Sequence, residues 1–146
     1  MNRTIIATAA AATLLAVTPA LAQADKKQGA TVFQVTLEGK NEVPTKGDLD
    51  GTGRATIRIN PRKGEICYNL RVAGIQPATA AHIHEAPAGA AGPVVVGLTA
   101  PTSGMSKGCV AISEAEAREI IADPADYYVN VHNDEFKGGA LRGQLG

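Results

Sequence analysis

Apolar and polar residues alternate along most of this chain with a period of two, in short runs separated by Gly, Pro, Asn and Asp. That is the pattern of half-buried β-strands joined by turns. Thr31 to Leu37 sets Phe33, Val35 and Leu37 on one face against Val32, Gln34 and Thr36 on the other. Glu38 to Gly53 loses the alternation and fills with Gly, Asp and Pro, so it is expected to be a loop. Arg54 to Ile59 offers Ala55, Ile57 and Ile59 to a core, Asn60-Pro61-Arg62-Lys63-Gly64 reads as a turn, and Glu65 to Val72 returns, which predicts a hairpin. Gln76-Pro77 breaks the chain before a strand around His82. Val94 to Leu98 is apolar without alternation, as a strand covered on both sides is. Lys107 to Ile112, Tyr127 to Asn133 and Ala140 to Leu145 complete the set.

One segment changes period. Ser113-Glu114-Ala115-Glu116 is a capping box, with Ser113 as N-cap and Glu116 able to reach back to its N–H. The helix is expected from Glu114 to about Ala122, because Pro124 disfavours helical geometry in Asp123. Seven or eight short strands with one short helix in a crossover predict an all-β fold, a two-sheet Greek-key sandwich or a flattened barrel.

The first residues do not share this pattern. Asn2-Arg3, an apolar run from Ile5 to Val17, and Ala20-Leu21-Ala22 fit a secretory leader over residues 1–22, cleaved after Ala22. Residues 23–29 read as a frayed tail. Residues 30–146 are then one exported domain, periplasmic or extracellular, with no transmembrane segment expected. The formal net charge is +0, and neither a basic stripe nor a polybasic patch is present, so a nucleic-acid partner is excluded and no membrane-surface partner is indicated.

The export reading changes how the two cysteines are understood. Cys67 and Cys109 in an oxidising compartment are expected to form a disulfide. Both alternate against apolar neighbours, Ile66 and Tyr68 in one case and Val110 in the other, so both should point away from the core. A bridge between neighbouring strands of one sheet follows.

The chemistry worth weighing sits on the histidines. His82 and His84 are two apart on one strand and therefore share a face. His132 lies on the Tyr127 strand, where Val129 and Val131 take the core register and His132 shares the outer face with Tyr128 and Asn130. Three imidazoles on two rigid strands suit Cu or Zn. Asp134 and Tyr128 are possible fourth ligands, whereas Glu85 faces the opposite way. In the bland alternative, each imidazole donates to a carbonyl of the Gly89 to Pro93 loop, and Asn130 and Arg142 complete a structural polar cluster that pins it. Glu42, in the polar loop, could ligate an ion or contact a partner, but as a loop carboxylate it is expected to be solvated. No catalytic set is visible: Ser106 and Lys107 are adjacent but lack an elbow motif and an acid.

Several of these stretches resemble one family. Asn41-Glu42-Val43-Pro44, His82-Ile83-His84 followed by Gly89 and Gly92-Pro93-Val94-Val95, and Tyr128-Val129-Asn130-Val131-His132 followed by Gly138-Gly139-Ala140-Leu141-Arg142-Gly143-Gln144-Leu145 are similar to the motifs of the chordin-type, or CHRD, domain. The resemblance spans most of the chain after the leader and implies a secreted β-domain. In animal chordin such domains belong to an extracellular growth-factor-binding protein, but this chain resembles the single-domain versions, and growth-factor binding is not carried over. The His-x-His pair on a Greek-key barrel is also similar to the copper site of Cu/Zn superoxide dismutases, in which case Arg142 would play the anion-attracting part. Two functional readings follow. The first is a structural or binding module for a protein or small ligand; the alternative is a copper or zinc protein with a His82/His84/His132 site, redox active in the manner of a dismutase.

Overall fold

The computed structural model describes residues 29–146; the expected leader over residues 1–22 and most of the expected tail over 23–29 lie outside the described residues. Eight strands form one antiparallel sheet: β1 (Thr31–Glu38), β2 (Thr52–Asn60), β3 (Glu65–Ala73), β4 (Ala78–Glu85), β5 (Val94–Leu98), β6 (Met105–Ala111), β7 (Tyr127–Asn133) and β8 (Leu141–Gln144). Their spatial order is β5-β4-β7-β8-β1-β2-β3-β6. The two edges approach each other: the Ser106 hydroxyl of β6 donates to the carbonyl of Thr99, just past β5, at 2.7 Å, and Tyr68 of β3 meets the Thr99 hydroxyl at 2.9 Å. The all-β expectation therefore holds, as one nearly closed sheet flattened around a core.

That core is what the alternation marked. Val35 and Leu37, Ala55, Ile57 and Ile59, Ile66, Tyr68 and Leu70, Ala81 and Ile83, and Val129 and Val131 all point inward and are buried. The β2–β3 hairpin turns at Asn60, whose side chain accepts from the Lys63 N–H, and at Gly64, which takes the left-handed conformation (φ 60°) that a residue without Cβ adopts freely. The one α-helix among the described residues, α1 (Glu114–Ala122), begins at Ser113, which accepts from the Glu116 N–H at 3.1 Å. It buries Ala117 and Ile120 and carries the chain from the β6 edge back to β7 in the interior of the sheet. This crossover is what sets the two histidine-bearing strands, β4 and β7, side by side.

Two expectations require correction. β5 is not covered on both sides: it is an edge strand in which only Val96 is buried while Val94 and Gly97 are exposed. Val95 and Leu98 are only half-buried against the core, and a register shift between Ile83 and His84 disturbs the pairing there. The polar stretch from Glu38 to Gly53 is a loop at its centre, but strand pairing continues through Glu38 and resumes at Thr52.

The disulfide joins Cys67 and Cys109, directly opposite each other on β3 and β6. Cys67 alternates against the buried Ile66 and Tyr68, and Cys109 is exposed beside the half-buried Val110, so the bridge lies on the outer face of the sheet.

Candidate functional site

The pairing of β4 with β7 places Ala80 opposite His132, His82 opposite Asn130 and His84 opposite Tyr128. Directly paired residues project to the same side of a sheet, so the outer face of these two strands carries His82, His84, His132, Tyr128 and Asn130 together. One ring nitrogen of each histidine lies within 4.8 Å of the others. His82 Nδ1 stands 3.3 Å from His132 Nε2, and the His82 ring meets the His84 and His132 rings edge-on, with centroids 5.5 and 5.2 Å away.

Main-chain carbonyls decide which nitrogens are free. His84 Nδ1 lies 3.0 Å from the Gly92 carbonyl and His132 Nδ1 lies 3.0 Å from the Lys137 carbonyl. A carbonyl can only accept, so in the neutral ring each Nδ1 carries the proton and each Nε2 presents a lone pair. His132 Nε2 therefore accepts from His82 Nδ1 when the rings are alone. His84 Nε2 is buried and has no hydrogen-bond partner. Orphaned buried polar atoms of this sort are few in folded proteins. A His–carbonyl contact that fixes the tautomer behind a free Nε2 is the usual outer shell of a metal-ligating histidine.

Electrostatics favours the neutral rings that ligation needs. Burial, then the neighbouring His132 and His84, hold His82 below its ordinary value of 6.5. Burial likewise lowers His132, opposed by its hydrogen bond to Lys137 and helped by His84.

Two loops build the carbonyl shell. The Ala86 to Pro93 loop returns at Gly92, where a Cβ would overlap the Glu85 carbonyl, so only glycine lets the chain close onto His84. The turn after β7 is tied by Asn133, which accepts from the Phe136 N–H at 2.7 Å, and this brings Lys137 back over His132.

Arg142 locks the first loop. The residue is 2 % exposed, and its guanidinium donates to the carbonyls of Ala90 at 2.7 Å and Pro87 at 3.1 Å and to Gln144 Oε1 at 3.1 Å. Its Cζ sits 3.5 Å from the Tyr128 ring centroid, and Tyr128 in turn stacks on His84 at 4.8 Å with only 7° between the planes. The three planar groups form one pile, with the Tyr128 hydroxyl accepting from the Gly92 N–H. Three of its N–H groups are thus engaged within the protein, two on the loop and one on Gln144 of β8.

Asn130 is buried too and donates to Glu42. Glu42 overturns its expectation: it is 3 % exposed, not solvated. Burial raises its carboxyl to about 7, with Arg142 and the Asn130 hydrogen bond pulling the other way. Gly139 (φ 141°) makes the space, since a Cβ there would collide with the Glu42 carboxylate. The only sequence signal for Glu42 was its place in Asn41-Glu42-Val43-Pro44. His84 donates to Gly92, within the Gly89 to Pro93 loop expected to receive the imidazoles, whereas His132 donates to Lys137, outside that loop.

The remaining candidates for a fourth ligand do not join the cluster. The Tyr128 hydroxyl is engaged with Gly92, and Asp134 lines an adjacent recess with His82, His132 and Lys137 without its carboxylate meeting the three nitrogens. A second grouping, Glu65 with Cys67 and Cys109, is spent on the disulfide.

Neither a curated protein nor a solved structure matches the chain. A family model does: the CHRD domain matches residues 33–145, from β1 through the residue after β8 and across both histidine strands. The chain belongs to the CHRD domain family.

Proposed function

We propose that this protein is an exported binding module whose ligand is a divalent transition metal, copper or zinc, held by His82, His84 and His132. The observation that carries the reading is the donor set itself: three ring nitrogens within 4.8 Å, with the proton of His84 fixed on Nδ1 and its buried Nε2 left unpartnered. Tetrahedral sites with metal–nitrogen bonds near 2 Å need donors about 3.3 Å apart, and His82 Nδ1 and His132 Nε2 already stand 3.3 Å apart. Ligation through His82 Nδ1 requires only that its proton move to Nε2. Neutral imidazoles are the donors Cu(II) and Zn(II) share, which is why the reading names both. Export, with cleavage after Ala22, is supported by the leader-like start of the chain and by the disulfide.

The histidines also pin loops, as His84 does Gly92 and His132 does Lys137. Those contacts use one nitrogen of each ring, so pinning and ligation are compatible. The test is metal content and calorimetric titration of untagged protein, beside His84→Ala. Stoichiometric Cu(II) or Zn(II) binding that disappears in the variant, with the β-sheet circular dichroism retained, is expected. Unaltered, weak or absent binding in both proteins would leave the histidines as pins alone.

A further inference from the structure

The three donors come from one side, and what lies on the other sides differs. Beneath them is the sheet. Beyond His84 the Gly92 carbonyl, the Tyr128 ring and the Arg142 guanidinium close the space. Toward His82 and His132 the surface is open: both line a recess together with Thr79, Ala80, Asn133, Asp134 and Lys137. Gly97, the partner of His82 across β4 and β5, adds no side chain to this face, and a Cβ built there would meet nothing within 4 Å. His82 is thus flanked by two small residues, Ala80 in the recess and Gly97 on the neighbouring strand.

Charge points to what arrives by that approach. Among the described residues no carboxylate shares the donor cluster with the histidines. Three neutral imidazoles leave a divalent ion with its whole charge, and the rim pair Asp134 and Lys137 cancels in formal charge. A low-dielectric face with an uncompensated dication is stabilised by an anion, and a single remaining coordination position takes one small donor.

We propose that the metal centre keeps an exchangeable fourth position, open over Gly97 and Ala80, that takes a small inorganic monoanion. This rests on the metal reading above, and binding of metal and binding of anion are measured separately. A three-histidine centre with one free position is the arrangement in which a metal binds an exogenous ligand and is not merely structural. No reaction is needed for the inference to hold.

The experiment uses the full chain loaded with Cu(II) and titrated with azide, followed by the azide-to-copper charge-transfer absorption and by electron paramagnetic resonance. A saturable new band and an altered copper spectrum are expected. Gly97→Leu, at an exposed position with room for the side chain, should weaken azide by roughly tenfold while copper affinity is unchanged. Stoichiometric copper with no azide response, or an azide response only in Asp134→Ala, overturns the inference and shows the fourth position blocked or filled by protein, while the metal centre stands. An azide response that Gly97→Leu leaves untouched overturns the approach over Gly97. Failure to bind copper at all refutes the metal centre and this inference with it.

Discussion

Replacing Glu42 by Gln should remove a fall in stability that the native protein suffers as pH rises. Burial raises the Glu42 carboxyl from 4.5 to about 7, against the lowering pull of Arg142 and Asn130. A group whose value is raised by folding stabilises the native state fully below its unfolded value and loses that contribution as pH rises through its folded value. The span between the two values corresponds to about 3 kcal/mol, lost between about pH 4.5 and somewhat above pH 7. The amide introduced by Glu42→Gln cannot ionise, yet its carbonyl can accept from Asn130 as the neutral acid does. The assay is urea unfolding of chelator-treated wild type and Glu42→Gln across this interval, read as the difference between the two proteins at each pH. His82 and His132 work in the opposite direction, since burial lowers both and their protonation costs stability as pH falls below 6.5. That effect is common to both proteins and cancels in the difference. The variant should gain on the wild type by about 3 kcal/mol over the window; a difference that does not change with pH would refute a buried, neutral Glu42.

Three further outcomes follow from the same contacts. Metal affinity should rise with pH through a midpoint below 6.5, because His82 and His132 are held below that value; a calorimetric midpoint at or above 6.5 would contradict the burial argument. Arg142→Lys keeps the charge but loses the fork that reaches Ala90 and Pro87 together, and should cost roughly 2 to 3 kcal/mol in chemical unfolding. Reducing the Cys67–Cys109 bridge, which closes a sequence separation of 42, should lower stability by up to roughly 4 kcal/mol on chain-entropy grounds without changing the sheet signal, as unfolding with and without reductant would show.

The strands were legible because each has one buried face, and period-two alternation is the direct imprint of that asymmetry. His82, His84 and His132 could be put on a common side by parity alone, and so could the two cysteines, since parity survives any choice of neighbours. What parity does not carry is cover. Val94-Val95-Val96 looked doubly buried because a run of valines records hydrophobicity and not position, and the strand lies at an edge. Glu42 looked solvated because its neighbours are polar. Its burial depends on Gly139, far away along the chain, leaving room beside Asn130. Arg142 was placed in the polar cluster that pins the loop, and its contact with the Ala90 carbonyl fits that placement; its further contact with the Pro87 carbonyl lies before the expected stretch.

The backbone origin of the outer shell has a dynamic consequence. The carbonyls of Gly92 and Lys137 belong to two loops, and each fixes the proton of one histidine, so the loops must be closed for both Nε2 lone pairs to be presented. Anything that binds only this closed state stabilises it by mass action. Metal should therefore slow amide hydrogen exchange in the loops more than in parts of the sheet remote from the histidines. The Gly92 N–H, bonded to the Tyr128 hydroxyl, and the Gly139 N–H, bonded to the Phe136 carbonyl, report the two loops. The Gly64 N–H, in the β2–β3 hairpin, is the control. Local opening of loops exchanges their amides well before global unfolding does, so a ligand that demands closed loops suppresses that opening directly. Slowing at Gly92 and Gly139 that exceeds the change at Gly64, and that vanishes in His84→Ala, is the expected result. Equal slowing at all three would mean that the metal stabilises the domain without drawing on the loops, and the carbonyl shell would then not be what prepares the histidines.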